Sequence, residues 1–395
     1  MNALLPFSCH RARLLTGLVG FVLLLPTGVL AQDAAAADNQ GTQASRQWPY
    51  PRGDAQSSGA TAETIPSPLA VIWEFQADDA IETTPVVSGG RVYVGDVMGK
   101  LYGINEQDGK PVWQKDYDTG FLASPAIKDD LLVIGDVEGN LYGLNPADGS
   151  ELWKRNTEGE INGSAAFYQD KVLVTSQDGK LYCFNAKDGA PVWTYQTDDQ
   201  IRCNPTIAGD YTFLGGCDGQ LHVVDLKTGQ ALKEPLPLGG PTGSTPAVAG
   251  DRAYLPIMDG AVLAFDWKQH KEAWRYEDAE RAQEYRGSAA VADDMVIVSS
   301  QYKQVDAISA STGDHLWRHT LRRRADASPL IAGSDVWIAA TDGRLIRLSR
   351  QTGKEIWQYE IRGAFLAAPA IANGRLYLAD DNGVVRCFAP GKSEK

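Results

Sequence analysis

This sequence predicts an all-β chain folded as an eight-bladed β-propeller, and three series of residues predict it. Tryptophan recurs about every forty residues, at Trp73, Trp113, Trp153, Trp193, Trp274, Trp317 and Trp357, with Lys233 in the one vacant place. A Ser-Pro-type pair recurs in step: Thr84-Pro85, Ser124-Pro125, Ser164-Ala165, Asn204-Pro205, Thr245-Pro246, Ser288-Ala289, Ser328-Pro329 and Ala368-Pro369. Glycine marks two turns in most units, one series running from Gly99 to Gly383 and the other from Gly109 to Gly353. Four short strands repeated at this period are the signature of a propeller.

Each strand follows from local chemistry. Residues 121–155 read FLASPAIKDDLLVIGDVEGNLYGLNPADGSELWKR. Four β-type runs are separated there by Asp-Asp, Glu-Gly-Asn and Asp-Gly, which are hairpin turns. We label the strands A to D, with Ser-Pro on A and Trp on D. Strands B and C mix alternation with continuous apolar runs, as expected for a sheet buried on both faces. No stretch carries a helical period.

The ends set the blade count. There are eight Ser-Pro-type strands, but the last unit stops at Phe388 without a Trp strand. The first Trp, in Val71-Ile72-Trp73-Glu74-Phe75, precedes the first Ser-Pro pair. Strand 70–75 is therefore expected to complete blade eight and close the ring, removing an open edge. The propeller spans 70–388 and 389–395 is a tail. The periodic Trp residues are wedges between blades, each burying about 200 Å². Trp48, Trp267 and Trp337 lie outside the register and are free for other roles. Pro235-Leu236-Pro237 is the expected substitute for the wedge missing at Lys233.

The first residues read as an address. His10, Arg11 and Arg13 precede an apolar run from Leu14 to Leu25, and Val29-Leu30-Ala31 offers a cleavage site before Gln32. Residues 1–31 are thus an expected signal peptide. The run is short for a spanning helix, so no membrane span is expected after cleavage. Gln32 stands where a lipoprotein carries Cys. Residues 32–69 are expected to be a linker followed by a segment, from Trp48 to Asp54, lying across the surface.

Composition excludes several functions. A hydrophobic share of 43% is too high for a disordered chain. A net charge of −13 argues against sequence-independent nucleic-acid binding. Five Cys do not make a disulfide scaffold. No zinc spacing, nucleophile elbow, P-loop or dinucleotide fingerprint is present. Acidic pairs are abundant but occupy turns, where Asp is favoured for backbone reasons.

The repeat Leu-Tyr-x-Leu/Ile-Asn/Asp, then Thr/Asp-Gly, then Trp four residues on, resembles the PQQ-like propeller repeat over residues 70–388. That resemblance implies the fold and two functional classes. One is the quinoprotein dehydrogenases, which hold PQQ with a disulfide of adjacent Cys and a calcium bound by Glu, Asn and Asp. This chain has no adjacent Cys pair and is shorter. The other class is the non-catalytic BamB-type propeller of outer-membrane protein assembly, similar in length, export signal and compact blades. The resemblance therefore implies a monomeric, exported, non-catalytic scaffold of the periplasm or cell envelope without cofactor. Its partner would be an envelope protein or peptide segment. The quinoprotein enzyme, with PQQ and calcium, is the alternative.

Candidate binding residues come from the loops between strand D and the next strand A. Early loops are acidic (Asp78, Asp79, Asp116, Asp118) and later ones basic (Arg286, Arg322, Arg323, Arg324, Arg362). The basic arc is expected to dock an acidic segment or anionic ligand, against the plainer reading of solvated loops with local ion pairs. The residues before each Ser-Pro proline vary too, and Glu82, Leu122, Asn162, Arg202, Gly243, Arg286, Asp326 and Leu366 occupy the position three before it. If strand A lines the tunnel with alternate residues inward, Glu82, Asn162, Arg202, Arg286 and Asp326 face it. Cys203 and Cys217 flank one hairpin, close enough for a disulfide, with two buried free thiols as the competing reading.

Overall fold

The computed structural model describes residues 47–391. The expected signal peptide, the first part of the linker and the end of the tail lie outside the described residues. Eight antiparallel sheets form the ring, with no helix among the described residues. Blade one comprises Val86–Ser88, Arg91–Gly95, Lys100–Asn105 and Pro111–Asp116, and the pattern repeats around the ring. Leu69–Gln76 pairs antiparallel with Val384–Pro390, so the outer strand of blade eight comes from the N-terminal side of the chain. Arg386 fastens this seam, its Nε donating to Glu74 Oε1 at 2.8 Å while it also pairs with buried Asp380. Asp96 and Asp136 show why acids fill the inner turns. Each is buried, accepts two turn N–H groups, and takes a Tyr hydroxyl at 2.8–2.9 Å.

Adjacent blades are joined by the periodic Trp. In seven blades the residue before the Trp position is extra to the ladder, a β-bulge that re-aims the outer strand. The bulged residue stays exposed, as at Val112 and Leu152, while Trp113 and Trp153 are buried. Six of the seven indoles reach the C–D turn of the next blade, while Trp357 meets blade eight, whose C and D strands are not joined by a turn, and packs on Phe388. Nε1 of Trp73, Trp113, Trp153, Trp274 and Trp317 donates to Glu106, Pro146, Ala186, Ala310 and Arg350 carbonyls at 2.8–3.0 Å. The ring lies against that turn's glycine. A Cβ on Gly109, Gly149, Gly189, Gly229, Gly313 or Gly353 would stand 2.4–2.9 Å from the incoming indole. These glycines also have positive φ, so two requirements meet on one residue.

Blades four and five are the informative exception. The outer strand of blade four is split into Gln230–Ala231 and Leu236–Pro237, and Lys233 sends no ring forward. At the place of the turn glycine, blade five has His270, with φ of 58°. With no indole arriving, a Cβ is tolerated there. The wedge runs backwards instead. Trp267, from the same turn of blade five, packs on Tyr211 and Phe213 of blade four at 5.4 and 5.3 Å between ring centroids. Leu236 joins that cluster, so the expected substitute contributes but does not fill the place alone. Trp267 is thus structural rather than free. So is Trp337, which is fully buried between Trp357 and the guanidinium of Arg347.

The segment after Gln47 does not lie across the outside of the ring. It follows the inner edges of the A strands as a strap. Trp48 exchanges two backbone bonds with Val87 of blade one, and Ile127 N–H of blade two donates to Pro49. Tyr50 packs on Phe167 of blade three. Ile207, Val248 and Val291 N–H of blades four, five and six donate to Ala55, Gln56 and Ser58. Ala60–Thr61 pairs in parallel with Leu330–Ala332 of blade seven. Glu63 Oε2 accepts Gly374 N–H of blade eight at 2.8 Å. The strap meets every blade in chain order, and most of these contacts pair a backbone donor of strand A that would otherwise face the axis unpaired.

The wedge makes the turn glycines unequal to His270. Gly189→Ala is expected to destabilise the ring by more than ~1 kcal/mol, through the Trp153 ring and the positive φ. His270→Gly should stay within about 0.5 kcal/mol of the parent, because no indole presses on it. Urea unfolding midpoints of the two variants give the comparison.

Candidate functional site

Two polar concavities open on the face built from the D-to-A loops. The first is the mouth of the central channel. The Ser-Pro-type residues form its wall. The main-chain N–H of one blade donates to the side chain of the next: Thr84 to Ser124, Ser164 to Asn204, Asn204 to Thr245, Thr245 to Ser288, Ser288 to Ser328, and Ala368 to Thr84, at 2.8–3.3 Å. This belt is what the recurring Ser, Thr or Asn supplies, and period alone did not reveal it. The proline that follows most of them directs the chain into strand A, which starts at the next residue.

Above the belt the cavity is bordered by Leu122, Asn162, Arg202, Gly243, Asp326 and Leu366. Asn162, Arg202 and Asp326 therefore stand where the channel reading put them. Glu82 and Arg286 hold the same loop position in blades one and six, but are exposed and are not among the residues that border the cavity. The position three before the proline sits in the loop rather than on strand A, so strand alternation does not set its direction. Arg286 is held by Glu284, with Nε 2.7 Å from Oε1. Asp326 accepts from Gln301 and from Arg324, and Asn162 accepts from Gln177.

The channel is blind. The strap turns inward between blades three and four, with Gly53 N–H donating to Tyr50 O. Pro51 and Arg52 at this turn border the same cavity, whose volume is about 190 Å³. Arg52 crosses to the far side, where its Nη1 donates to Pro329 O at 3.0 Å and Nη2 to Ala289 O at 2.8 Å. A Cβ on Gly59 would fall 1.9 Å from Nη2, so this glycine gives the guanidinium its room.

The second concavity is a basic groove of about 480 Å³ between blades six and seven, lined by Gln301, Lys303, Arg322, Arg323, Arg324 and Thr341. The three consecutive arginines do converge on one groove. Local acids take part of their charge, however. Arg322 pairs with Glu360 at 2.8 Å, and Arg324 with Asp326 at 3.0 Å. Arg323 and Lys303 form no ion pair among the described residues. On the acidic arc, Lys100 likewise bridges Asp78 and Asp116. The face is divided, but partly neutralised pair by pair. Lys303 was not among the sequence candidates. It belongs to the turn between strands B and C, which no loop-by-loop reading joins to Arg323.

Cys203 and Cys217 carry free thiols. Thr206 opposes Phe213, and that register carried back sets Cys203 against Gly216 instead of Cys217. The Cys203 Sγ–H points to Gly215 O at 3.2 Å, and burial pushes the thiol up to about 12.

The fold and this face define a class: an eight-bladed propeller of PQQ-type repeats whose channel is stopped by its own N-terminal strap. The family described as outer membrane protein assembly factor BamB matches residues 67–163, 137–336 and 304–392, and the chain belongs to that family. Among solved structures, BamB from Moraxella catarrhalis is similar at 22% identity and a TM-score of 0.72, covering 83% of this chain and 99% of that one. The computationally designed Ika8 protein is similar at 16% identity and a TM-score of 0.72, covering 81% and 99%. Quinohemoprotein alcohol dehydrogenase from Comamonas testosteroni is similar at 14% identity and a TM-score of 0.73, covering 89% and 82%. No curated protein matches the chain. At these identities the likeness to solved structures is one of fold.

Among the described residues no three His, Cys, Asp or Glu side chains converge as metal donors. The four cysteines there are separate and free. The cavity is smaller than the ~300–1,000 Å³ of ordinary small-molecule sites, and Arg52 occupies the axis.

The belt and the thiols give two tests. Ser288→Ala leaves Thr245 N–H unpaired inside the wall and should cost about 1–3 kcal/mol in urea unfolding. A maleimide at pH 8 should modify half-exposed Cys217 in the native protein and leave Cys203 unmodified until urea is added, as mass spectrometry of the peptides will show.

Proposed function

We propose that this chain is a non-catalytic binding scaffold of the cell envelope, exported as a monomer and working in outer-membrane protein assembly. The family membership supports the role. The observation that carries the mode of action is the basic groove between blades six and seven. It is a polar concavity on the loop face of a rigid ring, and Arg323 and Lys303 in it lack local partners. Guanidinium and ammonium groups free of internal acids are available to an acidic segment of another protein. The ring around them is tied by wedges, belt and strap, so the groove is held ready without large rearrangement. Arg322 and Arg324, already paired, shape the groove and add less charge. Among the described residues no helix is long and apolar enough to cross a membrane.

The enzymatic alternative rests on the dehydrogenase-like fold. It would show as a PQQ absorption change on adding PQQ with calcium to the purified chain.

The scaffold reading is tested by reversing the unpaired charges. The Arg323→Glu/Lys303→Glu double variant should lose at least tenfold in recovery of envelope partners by crosslinking and pull-down, with unchanged thermal unfolding. Raising salt from 50 to 300 mM should weaken the parent's capture in the same direction. Equal capture by parent and variant would remove the groove from the function.

A further inference from the structure

Arg52 is the one charged group at the floor of the funnel, and no acid of the described residues forms an ion pair with it. It is 5% exposed. Its two Nη groups donate to neutral carbonyls, Pro329 O and Ala289 O. Its Nε is buried and unpartnered. Asp54 of the strap accepts the Ser58 N–H and hydroxyl at 3.0 and 2.5 Å and forms no ion pair with Arg52, its field only partly offsetting the cost of burial. Burial without an ion pair lowers the guanidinium to about 10. A charge taken from water without a counter-charge costs several kcal/mol, so a purely structural strap residue would be better neutral.

The surroundings are built rather than accidental. Gly59, at positive φ, clears the space beside Nη2, and its own N–H donates back to Arg52 O at 3.0 Å. The wall above is the belt of hydroxyls and Asn204, groups able to donate or accept. At the rim stands Arg202, exposed, with Gln200 as its partner and no carboxylate. The rim acid, Asp326, is already held by Arg324 and Gln301. The funnel therefore presents net positive charge at two depths within one polar cavity.

We propose that the blind funnel is a carboxylate site, entered from the loop face, in which Arg52 at the floor and Arg202 at the rim receive one anionic group. A carboxylate suits the forked donors of a guanidinium. The cavity of about 190 Å³ admits such a group with bridging waters but not a large anion. The chemistry has two sources: a small free acid, or the free C-terminus or acidic side chain of a peptide. The second source deepens the scaffold reading, since groove and funnel share a face. The site itself does not depend on that reading.

Calorimetric titration of the full chain in low-chloride buffer tests it with three probes. These are succinate, the peptide acetyl-Gly-Ala-Ser-Ala-Ala with a free C-terminus, and the same peptide amidated. Saturable binding of the free-acid peptide, at least tenfold tighter than its amide, supports a peptide terminus as the ligand. Binding of succinate alone supports a small acid. Arg202→Gln, at the exposed rim where folding is not at stake, should weaken whichever probe binds by at least threefold. Arg52→Gln, if folded by circular dichroism, should abolish binding. No saturable heat from any probe up to 5 mM, or equal binding of acid and amide, would overturn the proposal. So would potassium chloride displacing the acid at equal concentration, which makes the funnel a simple halide niche. None of these results bears on the groove, whose test uses whole partners and the distant Arg323 and Lys303.

Discussion

The contact between a tryptophan of one blade and a glycine turn of the next holds this molecule together. Sheets that meet only through aliphatic side chains can slide; an indole set over a turn without a Cβ, with its N–H on a carbonyl of that turn, cannot. Every other regularity is arranged around that contact. The bulge before the indole turns it toward the neighbour. The Asp-Gly or Thr-Gly turn keeps its partner flat. Between blades four and five, where the contact is missing, both halves change together: Lys233 stands for the indole and His270 for the glycine, and Trp267 fills the space from the other side. The paired loss shows that indole and glycine are one unit of packing rather than two independent preferences.

The second constraint is at the axis. Eight short inner strands would leave eight rows of backbone donors facing one another across a narrow channel. A belt of Ser, Thr and Asn side chains satisfies one level of it, and the strap satisfies the next. The result is a ring without a through-passage. Recognition is then confined to the loop face, where the funnel and the basic groove lie, and the scaffold can present fixed charges without a mobile lid.

How much of this could be read from the residues depends on the kind of force involved. Wedges, turns and ring closure were legible because each needs a particular residue type at a fixed period. The closing strand was legible because a Trp unit lacked its Ser-Pro partner at one end of the chain and the reverse held at the other. The strap was not legible. Its bonds are main-chain to main-chain, and Trp48-Pro49-Tyr50-Pro51 carries no periodic mark of them. The three arginines were visible as a run, but Lys303, twenty residues away, joins them only through the packing of blades six and seven. The position three before the proline lies in a loop, where the path of the backbone and not strand alternation decides direction, so the sequence did not separate Asn162, Arg202 and Asp326, which border the cavity, from exposed Glu82 and Arg286. Arg52 was visible only as a charge between two prolines and a glycine. Its interest lies in what fails to surround it.

The position of the strap and of the closing strand has a consequence for how the chain assembles. Residues 48–76 precede all eight inner strands in the chain, yet their partners are spread over every later blade, and Leu69–Gln76 waits for a strand that ends at Pro390. Contacts across more than three hundred residues form late, because loop closure must precede them. Seven blades can fold in order of synthesis while the early segment stays extended and unpaired. The ring becomes a single cooperative body only when the last blade emerges, and the strap can then be laid around an axis that did not exist before. For this molecule the segment that precedes the blades is the last to be fixed.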